Sequence, residues 1–109
     1  MKIINFTALL LSSTIAGCQN SQAPFDIDEA AIALEKSENI LGTYIEKLDS
    51  EFTVQNVRTQ ILCKDYQHEY TKNYMPNMLK LSSEYNESDL LRDMNITLNY
   101  YRSNEKIQC

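Results

Sequence analysis

The chain has 109 residues, of which 43% are hydrophobic and 23% are charged, and its formal net charge is −5. This length accommodates one small domain. The acidic balance excludes broad electrostatic binding of nucleic acid, which requires an excess of Lys and Arg. With two glycines in the whole sequence, glycine-rich loops that hold phosphates or dinucleotides are excluded as well.

The first residues have the character of a targeting segment. Lys2 gives a positive start, residues 3–11 are mostly apolar, and small residues follow. The apolar part is only half the length of the roughly 20 residues that a helix needs to cross a bilayer. We therefore interpret residues 1–17 as a signal peptide.

The end of this segment resembles the lipobox of bacterial lipoproteins, which consists of an aliphatic residue, a small residue, Gly or Ala, and Cys. Ile15, Ala16, Gly17 and Cys18 match it position by position. The resemblance implies a diacylglyceryl group on the Cys18 sulfur, cleavage after Gly17 and acylation of the new amino terminus, which together anchor a protein stably. Gln19 stands where an Asp favours inner-membrane retention in enterobacteria. The resemblance therefore implies the bacterial outer membrane, with the protein facing the periplasm.

Two other interpretations of the leader remain open. An ordinary secretory signal would be cleaved near Ala16 and would leave Cys18 as a thiol. A eukaryotic secreted protein would instead carry glycans, and the triplets that begin at Asn86 and Asn95 match the acceptor pattern. Such triplets arise often by chance in a chain rich in Asn.

The segment after the leader is short, polar and uncharged, and it ends in Pro24. We assign residues 18–25 to the lipid anchor and a flexible tether, and residues 26–109 to one helical domain. A tether of this length reaches only ~20 to 25 Å when extended. The domain is therefore expected to lie close to the membrane surface.

The cysteines predict a disulfide. If Cys18 carries lipid, Cys63 and Cys109 remain as an even pair in an oxidising compartment. A bridge between them would close a long loop and stabilise the fold by roughly 4 kcal/mol. The alternative is a nucleophilic cysteine with His68 as its base, but five residues of helix place two side chains about 140° apart.

The first predicted helix begins at the acidic run after residue 25 and continues to about Ser50. Its apolar residues recur at spacings of three and four, which predicts one buried stripe. Gly42 lies within the helix at a cost in helix propensity and suggests a close contact with another helix. The predicted stripe consists of Ile27, Ala31, Leu34, Leu41, Ile45, Leu48 and Phe52, widened by Ile32, Ile40 and Tyr44.

A second helix is predicted to begin at Thr53, which is the expected N-cap. Its apolar face includes Ile61 and Leu62. The Met75-Pro76 pair should break or kink it, because the residue before Pro is disfavoured in the α conformation. A short helical turn is expected after Pro76.

The last helix is predicted to begin after Asn86, whose side chain and the following acids form a cap signal, and to end near Ser103. Leu90, Met94 and Leu98 mark its apolar face. The predicted fold is all-α, a small antiparallel three-helix bundle with a short helical turn after Pro76 and one disulfide.

The acidic first helix and a series of tyrosines form the candidate interaction surface. Residues 26–51 hold eight acids against two lysines, whereas acids and bases balance over residues 52–109. Tyrosine suits a binding surface because it buries a rigid ring and keeps a hydroxyl in water. The alternatives are a solvated acidic helix face and tyrosines at the margin of the core. The candidate residues are Tyr66, Tyr70, Tyr74, Glu35, Glu38 and Glu46.

The sequence predicts no catalytic residue, cofactor or metal site, since His68 cannot build a usual zinc site alone. It also predicts no small-molecule substrate and no nucleic-acid partner. We expect a non-enzymatic, membrane-anchored envelope lipoprotein with an accessory or adaptor role, which binds another envelope protein. The alternative is an immunity or inhibitor lipoprotein that binds a toxin or hydrolase in the periplasm and covers its basic site with the acidic helix.

Overall fold

The computed structural model describes residues 25–109 of the chain. Over that range the chain forms three helices and no strand. Helix α1 spans Phe25–Asp49, helix α2 runs over residues 55–81, and helix α3 spans Glu87–Glu105. The prediction of an all-α fold with three helices is confirmed. The predicted signal peptide, the predicted lipid attachment at Cys18 and the predicted tether up to Pro24 lie outside the described residues.

Helix α2 alternates between two helical geometries. Three α-helical stretches, Gln55–Gln60, Tyr66–Glu69 and Met75–Leu81, are separated by π-helical turns at Ile61–Asp65 and Tyr70–Tyr74. A π-helical turn pairs each amide with the carbonyl five residues back and is wider than an α-helical turn. The amide of Tyr66 accordingly donates to Ile61, and the amide of Met75 donates to Tyr70.

The first π-helical turn explains a contact with α3. After the π-helical turn, the backbone hydrogen bonds return from a spacing of five residues to a spacing of four. One carbonyl at this transition accepts no hydrogen bond within the helix, and here it is the carbonyl of Leu62. Arg102 of α3 donates to that oxygen from Nε at 3.2 Å and from Nη2 at 2.7 Å. A side chain of α3 thus satisfies a backbone group that the irregular helix leaves free.

Of the two predicted alternatives at Met75-Pro76, a break does not occur, and the helix instead changes there from π-helical to α-helical pairing. Met75 is α-helical, with φ −62° and ψ −46°, and α2 continues through Pro76 to Leu81. The second π-helical turn lies immediately before Pro76. Its greater width relieves the clash between the proline ring and the preceding turn, which is what disrupts a regular helix at Pro.

Two expectations about helix boundaries and glycine are also corrected. The N-cap of α2 is Val54, not Thr53, and the helix begins at Gln55. Gly42 is exposed, and a Cβ atom built there has no described atom within 4 Å, so the glycine does not serve a close helix contact.

The core is formed by inward faces of all three helices and by Ile107 after α3. The predicted stripe of α1 is correct in its later half, where Leu41 and Leu48 are buried. In the earlier half it is wrong: Ile27 and Ile32 are exposed, and Ala30 and Ser37 are buried in their place. Phe52, also assigned to the stripe, is 85% exposed. The buried residues are Ala30, Ser37, Leu41, Leu48, Arg58, Ile61, Leu62, Tyr66, Glu69, Tyr70, Met75, Leu90, Met94, Leu98 and Ile107.

Helix α3 begins and ends nearly as predicted. The side chain of Asn86 accepts a hydrogen bond from the Asp89 amide at 2.8 Å, which is the expected N-cap. The helix ends at Glu105, and Lys106 adopts the left-handed conformation, with φ 59°. The segment that follows reaches α2, where Cys109 forms a disulfide with Cys63. The predicted disulfide is confirmed, with Cα atoms 5.4 Å apart.

A buried arginine joins the end of α1 to the end of α3. Arg58 donates to the carbonyl oxygens of Leu48 at 2.8 Å and Thr53 at 2.9 Å, and also to that of Ser50. Its Nη1 atom also forms an ion pair with Glu105 at 2.9 Å. The last carbonyls of a helix have no partner within the helix. Arg58 therefore acts as a C-cap for α1 and fixes the loop after it.

A second polar contact lies beside this arginine. The Tyr101 hydroxyl of α3 donates to Asp49 Oδ1 at 2.8 Å. Burial and this hydrogen bond raise the pKa of Tyr101 to about 12, so the contact persists above the ordinary pKa of a tyrosine. We call the region of Arg58, Glu105, Tyr101, Asp49 and the disulfide the Arg58 end of the molecule.

Candidate interaction site

Four tyrosines form a continuous series of rings between α1 and α2. Tyr44 of α1 lies 6.4 Å from Tyr66, Tyr66 lies 6.1 Å from Tyr70, and Tyr70 lies 4.7 Å from Tyr74, measured between ring centroids. Their spacing of four residues on α2 places the rings on one side of the helix. We call this series the tyrosine ladder.

The inner part of the ladder belongs to the core. Tyr66 and Tyr70 are buried, and the Tyr70 hydroxyl donates to the Leu90 carbonyl of α3 at 2.8 Å. Burial raises the pKa of both hydroxyls. Of the two interpretations of these tyrosines, a core position therefore holds for Tyr66 and Tyr70, because their rings pack inward and leave no surface for a partner.

The outer end of the ladder reaches the surface at Tyr74, which is half-buried. The pKa of the Tyr74 hydroxyl is raised, mainly by burial. The negative charge of Glu38, the nearby Tyr85 and the negative charge of Asp93 raise it further. These side chains come from α1, α3 and the connector between α2 and α3. We call Tyr74, Tyr85, Glu38 and Asp93 the acidic tyrosine edge.

The predicted glutamates divide into two groups. Glu35, Glu38 and Glu46 are all exposed, and helical geometry places them within about 80° around α1. Glu38 is the member closest in angle to the buried side of the helix, and its charge acts on Tyr74. Glu35 and Glu46 lie at larger angles around α1 from its buried side, away from the tyrosines. The structure thus brings together Tyr74 and Glu38 and leaves Glu35 and Glu46 as separate surface charges.

Sequence reasoning missed two members of this edge. Tyr85 is 40% exposed in a connector with no other aromatic residue, and an exposed ring in a polar connector is a usable signal for a contact surface. Asp93 had no such signal, since it is one of four acids on α3 and only the packing of α3 brings it near Tyr74.

The chemistry of the edge favours a cation. The negative charges of the exposed Glu38 and Asp93 act on Tyr74, and a tyrosine ring offers its negative face to a positive group. Lysine and arginine side chains satisfy both features, because they pair with carboxylates and stack on aromatic rings.

No protein-family model matches the sequence, and neither a curated protein nor a solved structure shows significant similarity to it. Within residues 25–109, no cluster of three or more His, Cys, Asp or Glu side chains is arranged to hold a metal ion. In the same range, none of the helices combines the length and apolar character needed to span a membrane. His68 is exposed.

Proposed function

We propose that the protein is a lipid-anchored lipoprotein of the bacterial envelope whose helical domain binds a cationic protein surface, in an accessory or adaptor role without enzymatic activity. The acidic tyrosine edge carries the proposal. In it the charges of Glu38 and Asp93 act on Tyr74, with Tyr85 nearby, and its residues come from α1, α2, α3 and the connector between α2 and α3. Such a combination provides both charge attraction and ring contacts for a basic partner.

The proposed anchor lies close to the domain in sequence. Helix α1 begins at Phe25, and only the short stretch after Cys18 separates the two. That stretch spans ~20 to 25 Å at most. On this proposal, the acidic tyrosine edge meets its partner near the membrane surface, in the outer membrane facing the periplasm.

We further propose that the three helices form an antiparallel bundle, and pairs of contacts support it. Early and late residues pair in reverse order between neighbouring helices. Between α1 and α2, Tyr44 meets Tyr66 and Leu48 meets Arg58. Between α2 and α3, Leu62 meets Arg102 and Tyr70 meets Leu90.

The negative edge also supports a second candidate, an immunity or inhibitor lipoprotein. Toxins and hydrolases that act on anionic substrates present basic sites, which an acidic surface can cover. The two candidates differ in the identity of the partner, which is a resident envelope protein in one and a toxin or hydrolase in the other.

Crosslinking in intact cells followed by mass spectrometry tests both candidates. We expect one partner to be recovered with the unaltered protein and lost with Glu38→Gln/Asp93→Asn. The matched control Glu35→Gln/Glu46→Gln changes the net charge equally outside the edge and should retain the partner. Equal loss in both variants, or recovery of no partner at all, would contradict the proposed interaction site.

The anchor has its own test. Cells given a labelled fatty acid should label the unaltered protein and not Cys18→Ser. An unaltered protein without label would refute the lipoprotein proposal and leave the interaction site to be judged by crosslinking.

A further inference from the structure

The outward face of α2 differs in charge from that of α1. Every exposed residue of α2 is neutral or basic, whereas α1 exposes acids along its length. Lys64, His68 and Lys72 are exposed at intervals of four residues, and Lys80 follows near the end of the helix. We call Lys64, His68 and Lys72 the basic row.

The π-helical turns keep the basic row nearly straight. In a regular α-helix, residues four apart are displaced by about 40° around the axis at each step. A π-helical turn contains more residues than an α-helical turn and so reverses part of this displacement. Lys64 and Lys72 lie in the two π-helical turns of α2. Helical geometry also places His68 about 160° around the axis from Tyr66, so the basic row lies opposite the buried tyrosines.

The two acids of α2 act toward α1 and away from the basic row. Glu69 is buried, and the half-buried Asp65 accepts a hydrogen bond from the Gln60 amide at 3.1 Å. Burial raises the pKa of Tyr44 on α1, and the negative charges of Asp65 and Glu69 raise it further. The basic row therefore keeps its positive charge on the outward face.

The character of this face favours lipid headgroups over a protein surface. None of the large apolar side chains that are exposed among residues 25–109 lies on α2, whereas protein interfaces usually contain such anchors. The face carries a shallow, open depression of about 320 Å³. Lys64, Gln67 and His68 line it and can donate hydrogen bonds to a phosphate group. The depression is lined by Cys63, Lys64, Gln67, His68 and Thr71.

We propose that the basic row lies against anionic headgroups of the membrane that holds the lipid anchor. This inference rests on the proposed anchor at Cys18, whose tether of ~20 to 25 Å keeps the domain near the headgroups. Lysines are attracted to an anionic lipid surface, so the row orients the tethered domain without inserting it. Helices α1 and α3 pack on the opposite side of α2. Their carboxylates, including Glu38 and Asp93, then face away from the lipid.

Lysine labelling on vesicles tests the orientation. The protein is purified in detergent from the cells that produce it and added to preformed vesicles of phosphatidylcholine, or of equal parts phosphatidylcholine and phosphatidylglycerol. After flotation, an amine reagent that does not cross the bilayer is applied, and mass spectrometry measures the reaction of each lysine. We expect Lys64 and Lys72 to react about tenfold less on the anionic vesicles, and high salt to restore their reaction. Lys36 and Lys47 of α1 are exposed internal controls and should react equally on both vesicles.

The outcomes separate this inference from the proposed anchor. Protein that floats with neither vesicle has no anchor, and the inference falls with it. Protein that floats with both vesicles and shows equal reaction of Lys64 and Lys72 on each keeps the anchor and overturns the inference alone. Protection of Lys64 and Lys72 on pure phosphatidylcholine as well would show that a protein surface, such as a second copy of the chain, covers the basic row. That result would also overturn the inference.

Discussion

The buried polar groups at the two ends of the α1–α2 contact differ in the number of their hydrogen-bond partners. At the Arg58 end, the buried guanidinium finds three carbonyl oxygens and the carboxylate of Glu105. Toward the other end, between the earlier part of α1 and the later part of α2, the buried Ser37 hydroxyl has no partner among the described residues, and Glu69 has one neutral donor. Satisfied buried groups add stability, whereas unsatisfied ones reduce it. The comparison indicates that the Arg58 end contributes more to the stability of the α1–α2 contact than the region of Ser37 and Glu69.

The largest expected effect is at the disulfide. Replacing both cysteines, as Cys63→Ser/Cys109→Ser, should lower the free energy of unfolding by about 4 kcal/mol, because the open chain gains the loop entropy that the bridge removes. Urea denaturation monitored by circular dichroism measures the loss. A difference below about 1 kcal/mol would mean that noncovalent contacts alone hold the Arg58 end.

The next effect is at Arg58. Arg58→Met keeps the apolar stem but leaves three carbonyls and Glu105 without their cation, and it should destabilise the fold by about 3 kcal/mol. The control is Arg92→Met, which removes an exposed ion pair with Asp89 and should cost no more than about 0.5 kcal/mol. Similar losses in the two variants would mean that the buried contacts of Arg58 contribute no more stability than an exposed ion pair.

A smaller effect is expected at the inner tyrosine ladder. Tyr70→Phe removes the hydroxyl that donates to the Leu90 carbonyl and should cost about 1 kcal/mol in unfolding free energy. Tyr100→Phe is the control, since Tyr100 is 60% exposed and its loss of a hydroxyl should be neutral. Thermal unfolding of both variants checks the prediction, and a neutral Tyr70→Phe would contradict it.

The smallest effect has the opposite sign. Gly42→Ala should raise the free energy of unfolding by about 0.5–1 kcal/mol, because alanine restricts the unfolded chain and nothing in the described structure obstructs its Cβ atom. The gain is measurable as a higher midpoint in urea. Destabilisation by this change would indicate that α1 contacts something at Gly42 in solution.

Helix α3 could be predicted closely from the sequence. Its apolar face follows one clear spacing, Asn86 gives an explicit start signal, and Leu90, Met94 and Leu98 are all buried as expected. The disulfide could be predicted from the number of cysteines and from the oxidising compartment expected for the protein. In each case a local or countable feature decides the structure.

The earlier half of α1 could not be predicted, because two apolar stripes compete there. Ile27 and Ile32 favour one face, but packing against α2 buries the face of Ala30 and Ser37. A buried serine carries no apolar signal in the sequence. Which face of α1 is buried depends on the shape of the neighbouring helix, and the periodicity of the sequence alone does not determine that shape.

The role of Arg58 could not be predicted from the sequence either, although its position on an apolar helix face was a signal. Arg58 lies three residues before Ile61 and four before Leu62, so it stands on an otherwise apolar face. What it binds is a set of backbone carbonyls, which become neighbours only after the loop has folded. The candidate interaction site shows the same limit, since only the packing of α3 brings the charge of Asp93 close enough to raise the pKa of Tyr74.

The position of the disulfide determines how the molecule carries mechanical load. The covalent loop from Cys63 to Cys109 contains α3 and the later turns of α2, whereas α1 precedes it. In the proposed anchored protein, a pull between the membrane and a partner held on the acidic tyrosine edge acts first on the part of α1 that precedes Glu38. Its noncovalent contacts with α2 yield before the covalent loop is stretched. The domain is therefore expected to extend in two steps, with α1 unravelling while α2 and α3 stay joined.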